Sequence, residues 1–292
     1  DMLTSTSITL GEAYMNGDIE IEGDLYTALN MFLGQMGKFS TDTKKLKNII
    51  FTSKSKANQK KEVSSHYDIG NDFYKMWLDE TMSYSCGYFK NENDTLYQAQ
   101  CNKVDRILEK LNLSDGMTLC DIGCGWGFLL IEAAKKYNIK GVGITLSKEQ
   151  KAKFEQRIKE ENLSDRLEVK LLDYRDLPKQ HMEFDRVVSV GMIEHVGRGN
   201  YEEFMQCVKS VLKQGGVFVL HFISALKEYP GDAWVKKYIF PGGVIPSLRE
   251  IMQIAGELRF YTVDVESLRR HYNKTLLCWN ENFQQHRAEV VE

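Results

Sequence analysis

The sequence lacks a hydrophobic run long enough to cross a membrane. Of its 292 residues, 42% are hydrophobic, but no stretch approaches the roughly 18 consecutive apolar residues that a spanning helix needs. The segment 1–10 also lacks a basic region followed by an apolar one, so no secretory signal is visible. We therefore expect a cytoplasmic globular protein.

The cysteines lack the paired spacing of a zinc site. They are scattered along the chain, a pattern that suits reduced and mostly buried thiols. We predict no metal and no disulfide. The six positions are Cys86, Cys101, Cys120, Cys124, Cys207 and Cys278.

Positive charge is concentrated in one segment, although the formal net charge is only -3. Residues 38–61 hold eight lysines against one acid, Asp42. Such a cluster can attract anionic lipid headgroups, at about 1 kcal/mol per cation near the surface. A solvated linker explains the charge equally well. We predict no nucleic-acid partner.

The chain divides into a small N-terminal part and a larger α/β part. Residues 1–62 carry short apolar stretches and then the lysine-rich segment, which predicts a small helical lobe and a basic linker. Residues 63–292 are predicted to form the main domain. Within it, an aromatic region is followed by helical spacing over Gln98–Leu111, and this segment is suited to cap a cofactor pocket.

From Met117 onward, short apolar runs alternate with amphipathic stretches, which is typical of βαβ units. The pattern predicts an α/β fold with a doubly wound, mostly parallel sheet. The predicted strands are Thr118–Ile122, Gly141–Thr145, Leu167–Leu172, Phe184–Val190, Gly216–Phe222 and Tyr261–Val265. The predicted helices are Phe128–Tyr137, Lys148–Asn162, Tyr201–Leu212 and Ser247–Ala255.

A glycine-rich segment, Asp121–Gly127, lies between the first strand and the first helix, where glycines permit a tight turn around a ligand. A dinucleotide site needs wider glycine spacing and an acid about 20 positions on, but the second strand ends in Thr145 without one. Asp173 follows the third strand and is placed to accept a hydrogen bond from an adenine amino group. The pattern favours S-adenosylmethionine over a nicotinamide dinucleotide; a packing loop without ligand is the third alternative.

Six motifs in order resemble the cyclopropane-fatty-acyl-phospholipid synthases and the related mycolic acid cyclopropane synthases. The resemblance runs from about Thr9 to Phe283 and implies a Rossmann-like class I methyltransferase sheet. Beyond a segment like Leu276–Phe283, the family continues with a further helix and an antiparallel edge strand, whereas this sequence stops at Glu292. We therefore expect this sheet to lack that strand. The motifs are His66–Asn71, Met82–Cys86, Asp121–Gly127, Gly143–Ser147, Ser189–Val196 and Lys237–Gly242.

The resemblance also implies two sets of ligand-binding residues. Those for S-adenosylmethionine, together with Asp173, are Tyr84, Ser85, Gly123, Gly125, Gly127, Thr145, Leu146, Gln150, Tyr174 and Arg175. Those for a bicarbonate ion that acts as the base are Cys86, Glu194, His221, Ile223 and Tyr272, with Cys86 and Ile223 using backbone groups. Where the family commonly reads His-Thr-Ile-Gly, this chain has Phe222 and Ser224 after His221 and Ile223.

The implied activity is transfer of a methyl carbon to the cis double bond of a phospholipid acyl chain, which closes a cyclopropane ring at the membrane surface. Three alternatives stay open: a relative that stops at a branched or oxygenated product, a methyltransferase for soluble small molecules, and a non-enzymatic sensor of S-adenosylmethionine or lipid. For Leu25–Leu33, peripheral insertion into the inner face of the membrane and pairing with a second copy of the chain, as a homodimer, are both open.

Several residues have ordinary structural explanations beside the functional ones. Cys86 lies in an aromatic turn, where a lone cysteine is more often a small buried residue than a nucleophile. His195 follows a strand, and we interpret it as structural. Phe73, Tyr74 and Trp77 are suited to line a lipid tunnel, but an aromatic stripe at helical spacing is more often core.

We predict that the protein sediments with vesicles of anionic phospholipid and that high salt weakens this binding, because the lysine-rich segment 38–61 is attracted to the headgroups. The measurement compares the bound fraction at about 0.05 M and about 1 M salt, where screening becomes strong. Vesicles of zwitterionic phospholipid are the control. Binding that does not change with salt would rule out the electrostatic contribution.

Overall fold

The computed structural model describes residues 6–36 and 70–291. In these residues, helices alternate with the strands of one sheet. The helices are α1 Thr6–Met15, α2 Leu25–Met36, α3 Asn71–Trp77, α4 Leu96–Leu111, α5 Phe128–Lys136, α6 Lys148–Glu160, α7 Ile193–Val196, α8 Tyr201–Val211, α9 Ala233–Tyr238, α10 Leu248–Glu257, α11 Arg269–Gln285 and α12 Arg287–Val291. The strands are β1 Thr118–Ile122, β2 Lys140–Thr145, β3 Leu167–Leu171, β4 Phe184–Val190 and β5 Leu212–His221, and a 3-10 helix spans Tyr174–Gln180.

The sheet is parallel, with the order β3-β2-β1-β4-β5 among the described strands. This order reverses direction between β1 and β4, and in doubly wound sheets ligands bind at the carboxyl edge of that switch point. The predicted fold class and the first five predicted strands are confirmed, with shifts of a few residues at their ends. The sheet therefore places the ends of β1, β2 and β4 around one site.

Apolar side chains cover both faces of the sheet, as expected for parallel strands buried between helices. On one face, α4, α5 and α6 contribute buried residues such as Leu108, Leu130 and Phe154. On the other face, α8 and α10 contribute residues such as Phe204 and Ile251. These two layers hold the strand ends in place.

The helix α4 begins with a capping box, in which Thr95 and Gln98 satisfy each other's backbone N–H groups. Its buried face follows helical spacing and includes Val104, Ile107 and Leu111, which agrees with the predicted helix. A charged residue, Lys103, lies on the same buried face. This helix therefore brings an ammonium group to the interior beside the sheet.

The predicted strand Tyr261–Val265 is wrong. These residues form no strand, and Tyr261 and Val263 are 93% and 85% exposed. Salt bridges from Arg106 and Lys110 of α4 instead hold the segment through Glu266. Alternation of apolar residues predicts a strand only if a neighbouring strand supplies its hydrogen bonds, and no described strand does so here. Among the described residues, β5 is consequently an edge of the sheet.

The N-terminal region is helical where the structure describes it, and α1 packs against α9. The side chain of Glu12 accepts hydrogen bonds from Lys237 at 2.5 Å and from Tyr238 at 2.8 Å. In α2, Tyr26 and Met31 are 74% and 62% exposed. The lysine-rich segment and the predicted domain boundary at residue 62 lie outside the described residues.

Among residues 6–36 and 70–291, no helix is both long and apolar enough to span a bilayer. All six cysteines lie in the described part and are free thiols.

Candidate active site

A cavity opens at the carboxyl edge of the sheet, beside the ends of β1, β2 and β4. All eleven residues predicted to hold the cofactor line this cavity, so the structure brings together segments that are far apart in the chain. They are Tyr84, Ser85, Gly123, Gly125, Gly127, Thr145, Leu146, Gln150, Asp173, Tyr174 and Arg175.

The glycine-rich turn after β1 shapes the floor of the cavity. Gly127 has a φ of 85°, and a Cβ built there would come within 2.0 Å of the Phe154 ring. Gly125 has a φ of 55°, and a Cβ there would meet nothing within 4 Å. Two backbone N–H groups of the turn, those of Gly123 and Cys124, donate to the Ile144 carbonyl at 3.0 Å. The turn is therefore fixed by β2, and glycine keeps space open for a ligand.

The end of β2 adds polar groups at a second wall. Thr145 Oγ1 donates to Gln150 Oε1 at 2.7 Å, and Thr145 and Gln150 are both buried. Ser147 caps α6 by accepting a hydrogen bond from the Gln150 N–H at 3.2 Å. This cap holds Gln150 at the helix start, next to the cavity.

Asp173 is engaged with Arg175 rather than free. Its Oδ1 accepts from Arg175 Nε at 2.8 Å, and its Oδ2 accepts from a terminal guanidinium nitrogen at 2.6 Å. The guanidinium carbon also lies 5.3 Å from the centre of the Tyr174 ring. A bidentate pair of this kind is geometrically rigid. Oδ1 also accepts from the Arg175 backbone N–H at 3.0 Å. The Asp173 carboxylate is therefore preorganised, and Oδ2 retains a lone pair for a ligand donor.

The turn that carries Tyr84 and Ser85 is held by two helices. From α4, Gln100 Nε2 donates to the Ser85 carbonyl at 2.9 Å, and from α11, Thr275 accepts from the Gly87 N–H at 3.0 Å. The Tyr84 ring contacts the Trp279 ring at a centroid distance of 5.3 Å. Residues on α4 and α11 thus position one side of the cavity.

An aromatic cluster lies behind this turn and includes Tyr74, Trp77, Tyr84, Trp126 and Trp279. Tyr74 and Trp77 are 1% and 9% exposed, so the interpretation of these two residues as core is confirmed. Two members of this cluster, Tyr84 and Trp126, also line the cavity.

The five residues predicted to bind bicarbonate lie beside the cavity, and none is part of its described wall. Glu194 Oε1 accepts from the Ile223 N–H at 2.7 Å. The His221 carbonyl accepts from the N–H of Gly191, a lining residue, at 2.9 Å. The Tyr272 ring packs against Trp279, whose ring also contacts the lining residue Tyr84. The structure therefore joins Glu194 directly to Ile223, and it connects His221 and Tyr272 to the cavity through neighbours.

Burial dominates the electrostatics of this group. It raises the pKa of Glu194 to about 7, although the hydrogen bond from Ile223 opposes the shift. It lowers the pKa of His221 to about 4, and the charge of Lys103 lowers it further. Glu194 Oε2 and His221 Nδ1 are buried without a hydrogen-bond partner. The neutral imidazole of His221 and the carboxyl group of Glu194 thus each present a polar atom without a partner, which is costly unless a ligand pairs with it.

Sequence reasoning missed several lining residues. Lys103 and Asp121 are both 3% exposed and line the cavity, and Asp121 Oδ1 accepts no hydrogen bond. The available signal was a lysine on the apolar face of α4 and an acid at the end of β1. His195, interpreted from the sequence as structural, also lines the cavity and contacts Phe240.

The chain matches the family model of mycolic acid cyclopropane synthetase over residues 54–292. Residues 1–44 match the model of a domain of unknown function. A probable fatty acid methyltransferase of Pseudomonas putida is 41% identical over 97% of this chain and 73% of its own length. The cyclopropane-fatty-acyl-phospholipid synthase of Escherichia coli (strain K12) is 39% identical over the same shares.

Among solved structures, mycolic acid cyclopropane synthase CmaA1 in complex with SAH and CTAB superposes with a TM-score of 0.74. It is 34% identical and covers 80% of this chain and 85% of its own. That protein was therefore solved with the demethylated form of S-adenosylmethionine and with a long-chain detergent.

We predict that Cys86→Ser keeps methyl-transfer activity within about fivefold, because the thiol packs in the core and does no chemistry. Its Sγ lies 3.2 Å from the Gly87 carbonyl, and burial raises its pKa to about 11, so the nucleophilic thiolate is rare at neutral pH. The measurement is turnover with unsaturated lipid, with the thermal midpoint as a check of folding. Complete loss of turnover in a folded variant would contradict this.

Proposed function

We propose, because the chain belongs to the mycolic acid cyclopropane synthetase family, that it forms cyclopropane rings on phospholipid acyl chains. Family membership makes it an S-adenosylmethionine-dependent methyltransferase that acts on unsaturated lipid. The choice of phospholipid and the use of bicarbonate as the base are the proposed parts. One observation carries the proposal: the eleven predicted cofactor residues surround one cavity, with buried unpaired Glu194 and His221 beside it.

S-adenosylmethionine, when bound, supplies an electrophilic methyl carbon and leaves as a neutral thioether. The protein must then hold an acyl double bond near that carbon and exclude water. Tyr84 and Trp126 line the cavity, and an aromatic ring whose face meets a cation stabilises it by about 0.5–2 kcal/mol. Their burial among apolar side chains also keeps water from capturing a cationic carbon.

Ring closure requires that a proton leaves the added carbon, and the carboxyl and imidazole groups in the cavity wall are those of Asp121, Asp173 and His195. Asp121 is the buried carboxyl of the glycine-rich turn, and Asp173 is paired with Arg175. Bicarbonate bound by Glu194, His221 and Tyr272 would supply a base. In support, Glu194 Oε2 and His221 Nδ1 lack partners, and an anion with a hydroxyl group has both an acceptor and a donor to offer them.

We also propose that the lipid is reached at a membrane surface. The exposed apolar residues of α2, including Tyr26 and Met31, precede the lysine-rich segment in the chain. Peripheral proteins commonly bind a bilayer by inserting apolar side chains and by attracting anionic lipid headgroups with basic residues. In this proposal, residues 1–62 form the lipid-binding lobe and residues 63–292 form the catalytic domain.

The direct test incubates the protein with S-adenosylmethionine and vesicles of unsaturated phospholipid, and then weighs the released acyl chains. We expect the gain of one methylene unit together with loss of the double bond, so that the product resists ozonolysis. The same gain in mass with a double bond that ozone still cleaves would indicate a branched product and overturn ring formation. No gain with lipid, despite cofactor binding, would favour a sensor.

We expect Glu194→Gln to lower kcat by roughly 100-fold while the affinity for S-adenosylhomocysteine stays within about twofold, because Glu194 lies beside the cavity and not in its wall. In this proposal, ionised Glu194 accepts the hydroxyl hydrogen of bicarbonate. Since the pKa of Glu194 is about 7, wild-type kcat should rise as pH increases through 7. The variant should lose this rise.

The matched control is Glu202→Gln, which changes an exposed carboxyl on α8. It should leave both kcat and the pH profile unchanged. An unchanged kcat in Glu194→Gln would remove Glu194 from the mechanism, and an equal loss of cofactor affinity would make it a cofactor ligand instead.

A further inference from the structure

Lys103 is a buried lysine that forms no salt bridge in the described part of the chain, although the Asp79 and Asp121 carboxyls act on it through space. It lies on α4, is 3% exposed and lines the cavity. Its Nζ donates to Ser85 Oγ at 2.9 Å, and within the described residues this is its one hydrogen bond, with no salt bridge to a carboxylate. An ammonium group has three donors, so two remain for a ligand.

A second buried ionisable group lines the same cavity. Asp121, at the end of β1, is 3% exposed, and its Oδ1 has no hydrogen-bond partner. Asp121 and Lys103 do not form a salt bridge with each other, so neither neutralises the other by direct contact. Burying charges in this way is costly unless a ligand compensates for them. A cavity wall with one unpaired group of each sign is complementary to a zwitterion.

We propose that Lys103 binds the α-carboxylate of the methionine end of S-adenosylmethionine and so acts as a cofactor-binding residue. Within the bound cofactor, this carboxylate is the anionic group, and the α-ammonium beside it has the opposite charge. Ser85 Oγ accepts from Lys103 Nζ and thereby sets the direction of the ammonium. Asp121, with its unpaired oxygen, is the counterpart for the α-ammonium. The inference rests on the cofactor, and it is independent of the acyl substrate and of bicarbonate.

The bicarbonate proposed as the base is the other anion near this site, and it is the competing occupant. The predicted bicarbonate residues lie outside the cavity wall, whereas Lys103 shares that wall with the glycine-rich turn and with Asp121. The position therefore favours the cofactor carboxylate. The experiment separates the two anions because cofactor binding can be measured without bicarbonate.

The test uses two ligands that differ by one group: S-adenosylhomocysteine and its decarboxylated analogue, which keeps the adenosine, the thioether and the amine. Dissociation constants are measured by calorimetry in bicarbonate-free buffer for the wild type and for Lys103→Met, which replaces the ammonium with an apolar side chain of similar length. In the wild type, we expect the carboxylate to tighten binding by about 10- to 100-fold. In Lys103→Met, this preference should fall to within about twofold.

Two further variants serve as controls. Lys103→Arg keeps the positive charge and should retain a clear preference for the carboxylate. Lys140→Met changes an exposed lysine at the start of β2, so it should leave both dissociation constants and the thermal midpoint unchanged. The thermal midpoint of each variant reports whether the fold is intact.

Three outcomes would overturn the proposal. If Lys103→Met weakens both ligands equally, the residue supports the fold of the pocket, and if it weakens neither, the residue does not contact the cofactor. If the preference for the carboxylate persists but turnover no longer responds to added bicarbonate, the ammonium holds the base. Failure of the wild type to bind S-adenosylhomocysteine would instead contradict the cofactor assignment itself.

Discussion

The site depends on one constraint: polar and charged groups are buried at the carboxyl edge of the sheet, and the protein does not fully pair them. Lys103 and Asp121 share the cavity wall, while Glu194 and His221 have unpartnered atoms beside it. In a low-dielectric interior, such groups weaken the fold unless a ligand compensates for them. Ligand binding and stability are therefore linked at this site, because ligands that pair with these groups also stabilise the folded state.

Different elements of the fold position the two sides of the site. The sheet contributes the glycine-rich turn and Asp121, whereas α4 and α11 lie outside it and hold the turn that carries Tyr84 and Ser85. The apolar layers on both faces fix the strand ends, so the polar groups cannot move far enough to pair with one another. This rigidity preorganises the pocket for a small charged ligand, and aromatic rings pack along one side of it.

Local sequence patterns predicted much of this arrangement. They failed where the structure of a segment depends on residues that are far away in the sequence. The strand β1 and its glycine-rich turn follow from neighbouring residues. The alternation at Tyr261–Val265 is equally regular, yet no described strand pairs with it, and salt bridges to α4 hold the adjoining Glu266. The carboxylate of Asp173 was predicted to accept a hydrogen bond from an adenine amino group, and the sequence did not show that Arg175 already donates to it through its backbone N–H and two guanidinium nitrogens.

The sequence by itself determined the class of fold and the family, because these depend on periodicity and on contiguous motifs whose chemistry is local. It also predicted eleven cofactor residues, and all of them line one cavity. Only the tertiary structure decided which groups share the cavity wall. It placed Lys103 and His195 there and left Glu194 and His221 beside it. Burial and pairing are properties of the packed chain, and a sequence does not state the distance between residues on different elements.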